Sequence, residues 1–316
     1  MNHRFSFFLI FILTSFGCFT AAGEEFKLKC PEKFESSKFN KWIPSAKEKP
    51  VSVSLLVHGL NFAPEKMDSI GKLLSDDGSE VLRISLKGHR GNEEEFKNVT
   101  RPDWILDIFN GYCEARQRAD LLGLPLNYVG YSLGGVLNMD LMNNFPEADV
   151  KYDHIIYFAP AAAITMKSYM VKMLNVFGSK YLVPSFNEED YRANCKGTPI
   201  VAYNSMFDSI DSVKKSGIKG SDTPTLIIID PDDELVSPAG LRSIIDVNNL
   251  TNWSIYEFSN SSEKTKLKNK FHHLIVDEES VGPLNWQAIS LLIKEHNAKN
   301  TTVKSLDTVS PLLPAK

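Results

Sequence analysis

Gly130-Tyr131-Ser132-Leu133-Gly134 sets a single serine hydroxyl between two glycines. The run before it, Leu126-Asn127-Tyr128-Val129, is β-prone, and the run from Val136 to Met142 is helix-like, so Ser132 falls at a strand-to-helix turn. A turn sharp enough to push a hydroxyl out of the backbone strains its serine and crowds the neighbours, and only residues without a Cβ fit beside it. The helix that starts there aims free N–H groups and the positive end of its dipole at the hydroxyl. The chemistry this favours is attack on a carbonyl, with the N–H groups facing the negative charge that develops. The bare pattern recurs in ordinary glycine turns; the flanking strand and helix give it meaning.

A serine hydroxyl is a poor nucleophile until a general base takes its proton and a carboxylate holds that base in the right tautomer. Both partners occur downstream. The apolar run Thr225–Ile229 is followed by Asp230-Pro231-Asp232-Asp233-Glu234-Leu235-Val236, a turn at the carboxyl end of a strand, where α/β sheets place ligand-binding and catalytic groups. Beyond the next strand lies Phe271-His272-His273-Leu274-Ile275-Val276-Asp277.

The elements that must hold these turns alternate along the chain. Val51–Val57, Glu80–Leu86, His154–Phe158, Thr225–Ile229 and Trp253–Phe258 read as strands, with Lys41-Trp42-Ile43 as an edge strand. Helical patterns cover Pro64–Leu74, Asp103–Leu122 and Trp286–His296. Strand–helix alternation predicts an α/β fold, a mostly parallel sheet with helices on both faces. The alternation breaks between Pro160 and Asp222, where Met166–Leu174 is rich in methionine. A helical cap insertion over about 161–222 is expected there, its methionines and aromatics suited to an apolar acyl-binding surface.

The order Ser, Asp, His and the motifs around it resemble the α/β-hydrolases, and among them the small capped bacterial carboxylesterases and monoacylglycerol lipases, over roughly residues 50–297. In those families the acid turn commonly reads G-x-x-D-x-h-V/I, which puts Asp233 in the acid position. Asp230 stands where glycine is customary, and Asp230 and Asp232 remain alternatives. The histidine segment often reads G-H-h-h-x-x-D, a spacing that His272 and Asp277 fit better than His273 does, although Phe271 replaces the small residue. The resemblance therefore implies a triad of Ser132, Asp233 and His272, with His273 a structural or solvent-facing imidazole. It also implies an oxyanion hole built from the N–H groups of Leu133 and of Leu60, the latter in Val57-His58-Gly59-Leu60-Asn61, which resembles the H-G-h loop. His58, and His89 in Lys87-Gly88-His89-Arg90-Gly91, take structural roles. A serine at the elbow argues against dehalogenases and epoxide hydrolases, which use aspartate there. Phosphate-binding glycine loops are absent, no cofactor is required, and the acidic cluster at 230–234 reads as one catalytic carboxylate with solvated neighbours, not a metal site.

Composition bounds the rest. The 316 residues, 43% hydrophobic and 23% charged, suffice for one large core over residues 24–297. A net charge of −4 without basic tracts argues against nucleic acid as a partner. Arg4, the apolar run Phe5–Phe16 and the small residues 20–23 have the layout of a secretory signal peptide over 1–22. Cys18 would allow a lipid anchor and, through it, membrane association. Export leaves Cys30, Cys113 and Cys195, enough for one disulfide at most. Sequons occur at Asn98, Asn249, Asn252, Asn260 and Asn300, and a disordered tail is expected over 298–316. The expected protein is an exported serine hydrolase that cleaves a small carboxylic ester with an apolar acyl group through an acyl-enzyme. A thioesterase or acyltransferase would use the same triad, and a binding protein on the same scaffold is the non-catalytic alternative.

Overall fold

Six runs rich in β-branched and aromatic residues form the parallel part of a seven-stranded sheet. The computed structural model describes residues 28–32, 36–185, 188–218, 223–258 and 266–298. The expected signal peptide with Cys18, the sequons at Asn260 and Asn300, and the tail beyond Ala298 lie outside the described residues.

The strands are β1 (Lys41–Ile43), β2 (Ser52–Val57), β3 (Ser79–Arg83), β4 (Leu126–Tyr131), β5 (His154–Phe158), β6 (Leu182–Val183), β7 (Thr198–Pro199), β8 (Thr225–Ile229) and β9 (Trp253–Glu257). The large sheet has the order β1-β3-β2-β4-β5-β8-β9, with β1 antiparallel on the edge of β3. Every residue of β2, β4, β5 and β8 is buried, as central strands covered on both faces must be. The registers Val57 with Gly130, Tyr131 with Phe158 and Ile229 with Glu257 bring the carboxyl ends of these strands into line. The turns that follow them therefore share one edge.

The helices are α1 (Asp68–Asp77), α2 (Glu93–Phe96), α3 (Arg101–Leu122), α4 (Leu133–Asn144), α5 (Met166–Tyr169), α6 (Ile200–Ser216), α7 (Pro238–Val247), α8 (Glu278–Val281) and α9 (Pro283–Ala298). Adjacent residues of β2 show how they are layered. A Cβ on Gly111 of α3 would lie 3.2 Å from Leu55, and one on Gly71 of α1 would lie 3.5 Å from Leu56. Successive strand residues point to opposite faces, so α3 and α1 cover opposite faces of the sheet. The start of α3 is set locally: Thr100 accepts from Asp103 N–H and Asp103 accepts from Thr100 N–H, while Gly123 closes the helix in the left-handed region at φ 65°.

The insertion between β5 and β8 divides where a single cap was expected. The described residues of 161–199, with α5, a 3-10 helix over Met170–Phe177 and the antiparallel β6–β7 pair, lie at the carboxyl edge. Helix α6 belongs to the layer of α3 and α4, and it buries Ile200, Ala202, Met206, Phe207, Ile210 and Val213. It is the ordinary crossover helix that a parallel β5–β8 pair requires.

Two ties join distant segments. Cys30 and Cys113 form a disulfide between the N-terminal segment and α3, while Cys195 is a free, exposed thiol. Arg101 at the start of α3 grips the fully buried carboxylate of Asp140 on α4 in a fork, at 2.6 and 2.7 Å, and also donates to Ser212 of α6 at 3.0 Å. Removing one partner of such a pair strands the other charge. Arg101→Ala should therefore lower the unfolding free energy by about 3–5 kcal/mol, whereas the double variant Arg101→Met/Asp140→Leu should lie much closer to wild type. Urea titrations of the two variants check this expectation.

Candidate active site

Ser132 occupies the turn between β4 and α4 with φ 49° and ψ −106°, a conformation a side-chain-bearing residue adopts only under constraint. The constraint is visible in the backbone. Ser132 N–H donates to Phe158 O at 2.9 Å, and its carbonyl accepts from Gly135, Val136 and Ala161. A Cβ on Gly130 would lie 3.0 Å from the backbone of Gly134 and Gly135, and one on Gly134 would lie 2.8 Å from Val57 O. Gly135, which the motif leaves unspecified, is equally required, since its Cβ would come 2.6 Å from Pro160.

The imidazole that reaches Ser132 belongs to His273. Its Nε2 lies 2.9 Å from Ser132 Oγ, and its Nδ1 lies 2.8 Å from Asp233 Oδ2. The other oxygen of Asp233 accepts from Leu235 N–H and Val236 N–H, both at 2.8 Å, so the buried carboxylate is fixed by its own turn. The expectation that placed His272 at this position is corrected. Its Nδ1 pairs instead with Asp230 Oδ2 at 2.9 Å, and it is absent from the wall of the cavity that Ser132 and His273 line. The motif spacing misled by one residue because Asp277 does not answer to the histidine. It caps α8, accepting from Ser280 N–H, and it accepts the Tyr191 hydroxyl at 2.7 Å.

The alternatives for the acid separate clearly. Asp232 is exposed, and Asp230 is buried against His272. Asp230, Asp232 and His272 bring potential metal-ligand atoms within 4.8 Å of one another. Asp230 is already engaged by the His272 ring and by Asp232 N–H at 2.9 Å, so the cluster holds itself together through hydrogen bonds.

The loop after β2 lies directly against the elbow. A Cβ on Gly59 would be 3.3 Å from Ser132 Cβ, and Gly134 N–H donates to His58 O at 3.2 Å. Leu60 borders the same cavity as Ser132 and His273. Leu133 opens α4, so its N–H has no intrahelical acceptor. His58 and His89 hold the loop from behind: His58 Nε2 accepts Leu86 N–H at 3.0 Å, and His89 Nε2 accepts Asn61 N–H at 2.9 Å. Those bonds require an unprotonated Nε2, so Nδ1 carries the proton and donates to Gly59 O in His58 and to Lys87 O in His89. Burial pushes the His89 pKa down from 6.5 to about 4 and lowers that of His58 in the same direction, with the neighbouring His89 adding to the effect on His58.

A cavity of about 630 Å³ opens in front of Ser132. Its wall combines apolar Ile164, Val171, Met206 and Phe271 with polar Lys167, Glu188 and Glu234. Of the methionines in the expected cap, Met206 lines it, whereas Met166, Met170 and Met173 are absent from its wall and are 80%, 58% and 69% exposed. Residues 191–194 are bound to the Leu60 loop, through Ala63 N–H to Tyr191 O, Ala193 N–H to Asn61 O and Asn194 N–H to Asn61 Oδ1.

A mostly parallel sheet with a serine turn after β4, an acid turn after β8 and a histidine turn after β9 defines an α/β-hydrolase. The Hydrolase_4 family, serine aminopeptidase S33, matches residues 48–279, and the chain belongs to that family. It is 25% identical over 237 residues to a thermostable monoacylglycerol lipase of Bacillus sp. strain H-257, covering 73% of this chain and 86% of the relative. Among solved structures, a soluble variant of the monoglyceride lipase of Saccharomyces cerevisiae aligns with a TM-score of 0.64 at 13% identity, covering 86% of this chain and 97% of the other. A structure from work on the metagenome-derived lipolytic enzymes LipS and LipT aligns with a TM-score of 0.60 at 19% identity, covering 81% and 98%.

The two buried histidines make stability sensitive to acid. With the folded pKa depressed, the unfolded chain binds more protons between about 4 and 6.5, so stability rises with pH across that window. The contribution is fully present above 6.5 and is lost as pH falls toward 4; for His89 it amounts to about 3 kcal/mol. Urea midpoints should fall steeply between pH 6.5 and 4.5 in the wild type and less steeply in His89→Gln. Equal slopes would remove His89 from the account.

Proposed function

We propose that the protein is an exported serine hydrolase that cleaves carboxylic esters with Ser132 as nucleophile, His273 as general base and acid, and Asp233 as the group that orients His273. The single observation that carries this reading is the chain of bonds from Ser132 Oγ through His273 to the buried Asp233. Ser132 Oγ attacks the ester carbonyl while its proton passes to His273 Nε2, and Asp233 stabilises the imidazolium through Nδ1–H. The negative charge moves to the carbonyl oxygen, for which the N–H groups of Leu60 and Leu133 are the proposed donors. Collapse expels the alkoxide, which takes the proton from His273. Water then adds to the acyl-enzyme with His273 again as base, releasing the carboxylic acid and restoring the serine.

Esters suit the cavity better than the amino-terminal peptides suggested by the family's description. The apolar part of the wall fits an acyl chain, and the similarity to monoacylglycerol lipases supports a monoacylglycerol-like substrate. Export is supported by the disulfide between Cys30 and Cys113, which persists in oxidising compartments.

Fluorophosphonate labelling and p-nitrophenyl ester turnover test the reading. Ser132→Ala and His273→Ala should each lower kcat by about 10⁴-fold or more. His272→Ala should stay within about tenfold of wild type, since its ring does not meet the serine. A His272→Ala variant as inactive as His273→Ala would overturn the assignment of the base. A panel of oxygen esters, thioesters and alcohol acceptors separates hydrolysis of esters from thioesterase or acyltransferase activity.

A further inference from the structure

We infer that Glu234 is a positioning residue for the base. Its carboxylate grips the backbone of the histidine turn and thereby sets His273 Nε2 at bonding distance from Ser132. The inference rests on the triad proposed above. Glu234 Oε1 accepts His272 N–H and Oε2 accepts His273 N–H, each at 3.1 Å. Two consecutive N–H groups converging on one carboxylate form a compact, charge-assisted contact.

The need for such a grip follows from the local chain. Residues 266–277 contain neither helix nor strand, so no ladder of backbone bonds places His273. What remains are individual ties. Tyr131 hydroxyl donates to His273 O at 3.1 Å, Asp233 takes Nδ1, Ser132 takes Nε2, and Glu234 takes the backbone N–H. Asp233 and Glu234 are neighbours on one turn, and that turn is anchored to the insertion through Thr165 Oγ1, which donates to Glu234 O at 2.9 Å. The same turn therefore holds His273 at its ring and at its backbone. The ring is also flanked by those of Tyr131 and Phe271, and the grip on the N–H fixes the backbone from which it hangs, so that its reach to Ser132 does not rest on the ring contacts alone. A loss of about 1 Å in alignment is enough to cost on the order of 100-fold in rate.

Glu234→Gln tests the role with little change of shape. The amide keeps one acceptor oxygen but turns N–H donors toward a backbone N–H, so one of the two bonds is lost. The expected result is a kcat lowered 10- to 100-fold with KM within about threefold, and a slower fluorophosphonate labelling rate, at an almost unchanged melting temperature. Amide hydrogen exchange at His272 and His273 supplies a readout independent of turnover: both amides should be protected in the wild type, although they lie in irregular chain, and should exchange faster in the variant. A folded Glu234→Gln enzyme with wild-type kcat, or one altered only in KM, would overturn the positioning role. Unprotected amides at 272 and 273 in the wild type would overturn the grip even if the variant failed to fold. A wild type that neither labels nor turns over esters would defeat the hydrolase reading separately, and the exchange data would still decide whether Glu234 holds the turn.

Discussion

The left-handed turn at Ser132 is the constraint around which the rest of the molecule is arranged. A serine at φ 49° and ψ −106° carries strain of order 1–3 kcal/mol and persists only where the surroundings leave no alternative. Here those surroundings are backbone. Strand β5 takes the Ser132 N–H through Phe158 O, the segment after β5 binds its carbonyl through Ala161, and Gly59, Gly130, Gly134 and Gly135 permit approaches that a methyl group would forbid. The strain is not confined to the serine. Asn61 at φ 48° and Ala159 at φ 40° lie just beyond the carboxyl ends of β2 and β5, flanking the elbow on both sides. The central strands end in register, so their exits compete for space at one edge, and left-handed residues resolve that competition.

His58 and His89 serve as neutral acceptors and donors for backbone groups of the loops after β2 and β3, a task that an aliphatic side chain could not perform and that a permanent cation could perform only on its donor side. Beneath them, Arg101 and Asp140 fasten α3 to α4, whose first turn carries the N–H of Leu133. The insertion is joined to the same frame at Asn61 and Asp277. Its methionine-bearing surface meets solvent, while its inner side closes the cavity.

Much of this order was legible in the sequence because it rests on local patterns. Strand runs such as Leu226–Ile229 and Leu55–Val57 are apolar throughout because both faces are covered, and the glycines around Ser132 announce a turn that only glycine allows. Strand β3 ends at Arg83 where the apolar pattern runs on to Leu86, because Leu86 N–H leaves the sheet to bond His58. That tie joins residues 28 apart, and no local pattern encodes it. The cap was overdrawn for a related reason: α6 is amphipathic in either role, and only the strand order, which sets β5 beside β8, shows that it must cross the face of the sheet.

The choice between His272 and His273 shows why the last step of a site is the hardest to read. Two adjacent histidines on an irregular turn point in different directions, and nothing in their own sequence says which way each faces. The decision comes from the acid turn, where Asp230 and Asp233 are three positions apart and each holds one ring, Asp230 that of His272 and Asp233 that of His273. Asp230 follows directly on β8 and is buried against the His272 ring, whereas Asp233 is fixed in its own turn by the N–H groups of Leu235 and Val236 with its other oxygen on the His273 ring. The aspartate that replaces the customary glycine at 230 is thus the partner that occupies His272 and leaves His273 to the serine.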